Sequence, residues 1–541
     1  MMHVSGRRRT GAAVFVSIVA LLSSACGSSD DDPGAPVPTF EGPGATPTPG
    51  VPPADGTPSA PTDGNSQTPD APSGNEGNGD LPLDMNPPAQ TPGTGSTPPT
   101  DPTTPTDPTT PTDPTTPTDP TTPTQPTPNT PAPTEERPSA GTRNLFTELL
   151  GIPVGEVDAK VRLVANRLFG IGTGESATPV VNTGYRVYYE LPQNQNQAFI
   201  WAADSNDIRS EGMSYGMMIA VQLDMQQQFD RLWNFARTYM QFPANSNITT
   251  WRSYFRWQGS VNTANANNWQ VNYGADTGPA PDGDEYFAAA LFLADRRWGS
   301  GGAINYRQEA TNIASAMLNN TAAAGRTPII DRNSNMVVFF PSGNSAGFSD
   351  PSYHLPAFYE IFAQDGNQND AARWRQVAGV SRGYFVSSAN ANTGLHPDYA
   401  NFNGTPNAGG DTHDQFRYDA WRVVMNMAVD YAWGSQDQRL KTQIEKYHTF
   451  FTAHLGDGNV TNALFALNGS GASGNGSTAL TATLASGALV SAAANRADYV
   501  QNLWDVGQQS GQYRYYQETV YMLGLLATAG LFGYEWDGAG Q

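Results

Sequence analysis

Three acidic sites lie in aromatic, weakly charged surroundings. Glu211 sits in SNDIRSEGMSYGMMIAVQLD, Ser205 to Asp224, where a polar run meets an apolar one. Asp282, Asp284 and Glu285 stand in PAPDGDEYF, Pro279 to Phe287. Asp414 and Asp419 stand in HDQFRYDAWRV, His413 to Val423. Each has a plain structural reading. Glu211 is a first-turn glutamate favoured by the helix dipole. Asp282 or Asp284 caps the helix that starts near Glu285. Asp419 pairs with Arg422 one turn on. Together they suggest more, because paired carboxylates are the usual apparatus for cleaving glycosidic bonds. That chemistry needs one protonated carboxyl and one ionised carboxylate. Asp419, beside Arg422, is suited to stay ionised. Glu211 faces a conflict, since a helix N-terminus favours its anion. Packing by Met213 and Tyr215, or a neighbouring carboxylate such as Asp282, would have to overrule the dipole.

Aromatic side chains cluster in sequence around these sites: Trp201, Trp251, Tyr254, Phe255, Trp257, Trp269, Tyr273 and Tyr353. Sugar rings present C–H faces that stack on such rings. The loop 243–281 is so polar that Trp251, Trp257 and Trp269 have little core to enter. Trp257 is favoured as a ligand contact, and the others are left open. Asp411, His413 and Asp414 form a tight cluster of metal-ligand types. Consecutive residues at a helix start rarely point at one ion, however, and Asp411 or Thr412 makes a natural cap. No metal and no cofactor is expected.

The elements that must position these residues are helical. Apolar residues recur at helical spacing in 157–169, 212–223, 229–240, 285–298, 304–318, 354–362, 374–385, 420–433, 440–455, 478–493 and 513–531. Alternating strands are scarce, and Met336–Phe340 is the best candidate. Long loops at 243–281, 390–412 and 468–477 offer binding surfaces. The pattern suits a ring of paired helices or an irregular bundle, and periodicity alone does not separate these.

Upstream the chain changes character. Residues 1–26 read as an export signal: Arg7, Arg8 and Arg9 precede an apolar stretch, which ends in Ser23-Ser24-Ala25-Cys26-Gly27. The small residues before Cys26 resemble a bacterial lipoprotein cleavage site, although Ser23 stands where Leu is favoured. Cys26 is then the lipidation site, and the protein is expected outside the cytoplasm, at the cell surface or secreted. It is the only cysteine, so no intrachain disulfide forms. Residues 27–142 read as a disordered linker rich in Pro, Thr, Gly and Asp, with TDPTTP repeated four times from Thr100 to Pro123. Residues 143–541 form one large domain. The net charge of −21 argues against nucleic acid as a partner. A monomer is expected, touching a membrane only through its N-terminal lipid.

At SEGMSYGMM (210–218), PAPDGDEYFA (279–288), DPSYHLPAFYE (350–360) and FRYDAWR (416–422) the sequence resembles glycoside hydrolase family 8. The resemblance runs from about Leu145 to Trp536, with the motifs in the family's order. It implies an all-α (α/α)6 barrel and inverting hydrolysis of β-1,4-linked polysaccharide. By motif, Glu211 corresponds to the general acid and Asp419 to the general base. Asp282 corresponds to a carboxylate that binds and distorts the sugar at the cleavage point. Tyr353 corresponds to a tyrosine that helps hold the water, and Trp257 to a stacking residue. Arg422 is counted with the substrate-binding residues. The sequence departs at PDGDEYF, where relatives often have PDGEEYF, so the role of Asp284 is open. An inverting pair implies carboxyl groups about 6.5–9.5 Å apart.

Family members cut xylan, cellulose, chitosan or mixed-linkage glucan. The wording around Glu211 and Asp419 is similar to xylan-active members, both endo-xylanases and enzymes releasing xylose from the reducing end. The latter narrow their cleft with a late loop. Here that loop reads ALNGSGASGNGSTAL, 466–480, with no bulky blocker, so endo action is expected. The rival reading from another class is a non-catalytic carbohydrate-binding surface protein on a hydrolase scaffold. The intact carboxylates oppose it.

Overall fold

A computed structural model of the chain describes residues 135–274 and 277–537. The signal segment 1–26 with Cys26, and the linker as far as residue 134, lie outside the described residues. Residues 135–142, given to the linker by composition, are part of the folded domain. The Arg137 guanidinium donates to Asp158 Oδ1 and to the Ala529 carbonyl. Glu135 pairs with Arg162 and Glu136 with Arg297. Strand β1 (Ala140–Gly141) pairs antiparallel with a strand at Gly533–Glu535. The domain therefore starts earlier than its composition suggests, because charged and backbone groups rather than apolar bulk hold this segment.

After a short helix α1 (Leu145–Leu150), twelve helices alternate between an outer and an inner layer. The outer ones are α2 (Val154–Phe169), α4 (Gln226–Phe235), α6 (Tyr306–Asn319), α8 (Ala371–Ser387), α10 (Gln438–Phe451) and α12 (Arg496–Asp505). The inner ones are α3 (Ser210–Gln222), α5 (Pro281–Trp298), α7 (Pro356–Asp365), α9 (Val423–Asp430), α11 (Thr478–Gly487) and α13 (Arg514–Thr528). Each inner helix packs on the next, and α13 packs back on α3, so the inner layer closes into a ring. This is an (α/α)6 barrel.

The sequence encodes the two layers differently. Helix α10 buries Leu440, Ile444, Tyr447, His448 and Phe451, a single stripe at helical spacing. Helix α11 is buried on every side, α13 at every position but Tyr516, and α3 at every position but Glu211. A helix without a polar face belongs inside a second shell of helices. Helix α12, and the short α1, were not evident from periodicity.

Sheet is confined to the loops. A hairpin pairs β2 (Tyr188–Leu191) with β3 (Asn194–Ile200). A three-stranded sheet orders β4 (Ile208–Arg209), β5 (Gln258–Asn262) and β6 (Gln270–Asn272). Two further short strands, β7 (Phe348–Ser349) and β8 (Ala400–Asn401), pair with each other, and β9 (Gly533–Glu535) completes the pair with β1. The expected strand at Met336–Phe340 is absent. Val337 makes one bridge to Ile330, and Met336, Val337, Val338 and Phe340 are buried without a ladder. Met336 packs with Tyr384 and Ala400 in a small buried cluster, so apolar packing rather than pairing accounts for the segment's character.

Candidate active site

The site forms where the first turns of α3 and α5 meet the segments leading into α7, α9 and α13. Neither α3 nor α5 carries a side-chain N-cap. Four other helices do, through Asn144, Asn305, Asp437 and Ser477. Glu211, second in α3, and Asp282, second in α5, thus stand at uncapped positive ends. Two glycines bring the parts together. A Cβ at Gly283 would fall 2.4 Å from Ser210 Oγ, so only glycine lets α5 start against the start of α3. A Cβ at Gly212 would fall 2.4 Å from the Tyr515 ring, and that contact lets the Tyr515 hydroxyl donate to Glu211 Oε2 at 2.9 Å.

Arg422 is the hub. It ends a tight 3-10 turn, Asp419–Arg422, and its side chain is 4 % exposed. Its Nη1 donates to Glu211 Oε1 at 2.9 Å, Asp282 Oδ2 at 3.0 Å and the Tyr215 hydroxyl at 2.5 Å. Its Nη2 donates to Asp419 Oδ1 and Ser352 Oγ, both at 2.8 Å, and Asp350 Oδ2 lies 4.0 Å away. The rings of Tyr353 and Tyr516 stand 5.9 Å from the guanidinium carbon. Glu211 and Asp419 therefore occupy different nitrogens of one guanidinium. Their nearest oxygens are separated by no more than two hydrogen bonds and the width of that group, about 8 Å, a ceiling that admits the inverting spacing without excluding a shorter one.

The electrostatics answer the conflict at Glu211. Its carboxyl is pushed up to about 7. Burial is the largest cause; Arg422 opposes it, and Asp282 and then Asp419 reinforce it. Desolvation thus outweighs the pull of Arg422, and Asp282 is a lesser contributor than the sequence suggested. Asp282 is also raised, by burial against the opposing pull of Arg422. Asp350, wholly buried, is raised well above the carboxylate range by burial and by Asp419. Among the carboxylates bonded to Arg422, Asp419 has the most open side chain, 30 % exposed, against 15 % for Glu211 and 5 % for Asp282.

Tyr353 is buried and stacks on Phe339 with ring centroids 5.9 Å apart. Trp257 is half-buried, and its carbonyl accepts from Ser210 N at 2.8 Å, so the backbone before Glu211 is tied to it. Asp284 proves to be a structural neighbour of this strap. It is wholly buried, and its Oδ1 accepts from Phe255 N at 3.0 Å, two residues before Trp257. Trp251 and Trp269 do find a core, against Phe242 and Phe340 and against Phe199 respectively. The loop is polar in composition, but its tryptophans fold beneath it.

The Asp411, His413 and Asp414 group is not built as a metal centre. His413 stacks on Tyr399 at 4.1 Å and directs Nδ1 to Asp398 Oδ2 at 3.2 Å. Asp398 Oδ1 accepts from Ala420 N, next to Asp419, at 3.2 Å. Burial pushes Asp398 up to about 6. Residues to which sequence reasoning gave no part in the site are Asp350, Ser352, Asp398, Tyr515 and Tyr516, and Tyr215 was named only as packing against Glu211. Tyr215 carried a signal, lying one helical turn from Glu211 on the same face. Tyr515 and Tyr516 carried none, since the last inner helix reaches the site only through ring closure.

Residues 182–530 match the model of glycosyl hydrolases family 8. The reducing-end xylose-releasing exo-oligoxylanase Rex8A of Paenibacillus barcinonensis is 35 % identical over 402 residues, covering 72 % of this chain and 95 % of its own. Endoglucanase A of Acetivibrio thermocellus is 32 % identical over 335 residues, covering 61 % of this chain and 64 % of its own. A crystal structure of a family 8 protein from Teredinibacter turnerae in complex with xylobiose superposes with a TM-score of 0.65. It is 37 % identical and covers 73 % of this chain and 98 % of that one.

Proposed function

The chain belongs to glycosyl hydrolase family 8 and is a glycosidase, and on that premise we propose that it hydrolyses β-1,4-linked xylan chains internally, with inversion. The observation that carries the reading is the Arg422 hub, which gathers Glu211, Asp282 and Asp419 on one guanidinium. Xylan as substrate is supported by the relatives: a reducing-end xylose-releasing exo-oligoxylanase and a protein crystallised with xylobiose.

In this mechanism Glu211 gives its proton to the glycosidic oxygen as the C–O bond breaks. Asp419 takes a proton from a water that attacks the anomeric carbon on the opposite face. Asp282 accepts hydrogen bonds from the sugar at the cleavage point, and Arg422 keeps the three carboxyl groups in register. The Tyr353 hydroxyl helps hold the water, and Trp257 offers a ring face to a neighbouring sugar. The chain acts as a monomer without cofactor, exported and anchored through lipid at Cys26.

Endo action is favoured by one feature. The segment just before the loop from Ala466 to Ser477 joins the Asp419 region through paired backbone bonds of Phe416 and Phe465 and through the Trp421 indole bond to the Ala463 carbonyl. The loop carries mostly small residues, and 470–473 are exposed. Nothing in it is large enough to wall off the cleft. The alternative, release of xylose from the reducing end, is favoured by the exo-oligoxylanase relatives. Proton NMR of early products from xylohexaose separates these. Inversion gives the α-anomer first, and an initial β-anomer sinks the assignment of Glu211 and Asp419. A spread of xylobiose to xylotetraose supports endo action, whereas xylose plus one shortened chain supports the alternative. Glu211→Gln should abolish turnover and retain binding.

A further inference from the structure

Helices α7 and α9 both start at the catalytic face, just after Tyr353 and Arg422, so their C-terminal ends lie toward the other face of the barrel. There a cavity of about 460 Å³ is lined by Glu360, Gln364, Arg382, Asp430, Trp433 and Tyr534, together with Ser435. That size is ordinary for a small-ligand site. We propose that this cavity is a second, non-catalytic binding site for a neutral polysaccharide chain. The proposal rests on the xylan reading for the identity of that chain.

The chemistry of the wall selects the ligand class. Arg382 is locked in place, with Nε and Nη2 both donating to Asp430 at 2.8 Å and Nη1 donating to Glu360 at 3.0 Å. One guanidinium shared by two carboxylates leaves the wall net negative, which disfavours anions. Trp433 and Tyr534 form an aromatic pair with ring centroids 5.1 Å apart. The Trp433 indole N–H is already used on the Phe532 carbonyl at 3.2 Å and one ring face stacks on Phe532 with centroids 5.5 Å apart, so what it can offer a ligand is the remaining part of its ring. A ring beside fixed carboxylates and an amide matches a pyranose, which has C–H faces and hydroxyl edges.

Two local features are unexplained by packing. Ser435 Oγ is shielded from solvent yet lacks a hydrogen-bond partner among the described residues. Such a group calls for a water or ligand. The chain here also leaves the α-helix of α9 for a π-turn, Tyr431–Ser435, containing Gly434 at φ 119°. The turn displays Trp433, Gly434 and Ser435 along one wall of the cavity.

A second site on the face away from the cleft would hold the polymer while the cleft cuts it. It would act on long chains and not on short ones. The test measures retention on insoluble xylan and hydrolysis of xylotetraose for the native protein, Trp433→Ala and Gln364→Ala. Retention should fall about fivefold or more in Trp433→Ala and measurably in Gln364→Ala, with xylotetraose hydrolysis within about twofold of native. Unchanged retention in both variants overturns the proposal. Gln364 is exposed on the rim, so it decides the matter if Trp433→Ala loses its fold. If the native protein leaves xylotetraose intact and is not retained on xylan, the xylan reading has failed. Native hydrolysis with variant-independent retention means that the second site alone has failed.

Discussion

Replacing Asp282 by Asn should move the alkaline limb of the pH–activity profile toward acid. Glu211 must hold its proton to act, so activity falls as pH rises through its value of about 7. Asp282 is one of the charges that keep this value high. Both carboxyls bond the same nitrogen of Arg422, at 2.9 and 3.0 Å, so their nearest oxygens lie within about 6 Å of each other. At an effective dielectric of about 20, two unit charges at that distance repel by about 3 kcal/mol, equivalent to about 2 pH units. That figure is an upper bound, because Arg422 and solvent screen the repulsion, so the expected displacement is about 1 pH unit. The sign is fixed: removing a negative neighbour lowers the Glu211 value, and the protonated fraction is lost at lower pH. The assay is kcat/KM on a xylo-oligosaccharide against pH at constant ionic strength, because that ratio reports the free enzyme. Asp282→Asn also loses a sugar contact, so the absolute rate will drop; the position of the limb is the readout. A limb that stays near 7, or moves to higher pH, refutes the reasoning.

Arg422→Met should destabilise the fold by about 3–5 kcal/mol at neutral pH, because it strips the cation from buried carboxylates. Denaturant titration should find the loss smaller at acid pH, where Glu211, Asp282 and Asp350 are protonated. Asp284→Ala leaves the buried Phe255 N–H without its acceptor and should cost about 1–3 kcal/mol. It should also slow turnover by loosening the strap to Trp257, while Asp284→Asn, which keeps a carbonyl, restores much of both. Glu518, buried on α13, is pushed up to about 8 mainly by burial, and it accepts from Gln509 N at 2.7 Å. A raised carboxyl contributes stability at low pH that is lost as pH climbs from about 4.5 to about 8. Glu518→Gln should therefore flatten the decline of melting temperature over that window, as measured by thermal unfolding across pH.

The layered fold was legible because helices obey one period. The stripe of α10 and the continuous burial of α11 both follow from it, and the motif order suggested the ring. Two kinds of feature escaped. The β2–β3 hairpin and the β4–β5–β6 sheet are short and pair through the backbone, so their side chains carry little alternation. The segment 135–142 is held by Arg137 and by pairing with β9, a contact some 390 residues away in sequence, and composition does not report such contacts. In the site, Glu211, Asp282, Asp419 and Arg422 converge as expected. Tyr515 was invisible because its role depends on closure of the ring, and Asp350, although it opens the DPSYHLPAFYE motif, offered no spacing that ties it to Arg422.

The site's proton inventory follows from a mismatch of charge. Four carboxyl groups, Glu211, Asp282, Asp350 and Asp419, surround one guanidinium. Fully ionised, they would leave a buried excess of negative charge that neither Arg422 nor the uncapped starts of α3 and α5 could offset. The cluster sheds that excess by keeping protons, and it keeps them where solvent is scarcest. Asp350 is sealed and raised well above its ordinary range. Glu211 is raised less, to about 7, because Arg422 reaches it directly and its side chain keeps some opening to the cleft. Asp419 is the most open of the four, so its charge is the least costly to solvate. An acid near neutrality and a solvated carboxylate on the same guanidinium are what inverting hydrolysis requires. Burial sorts them, and at Glu211 desolvation is a larger effect than the pull of Arg422.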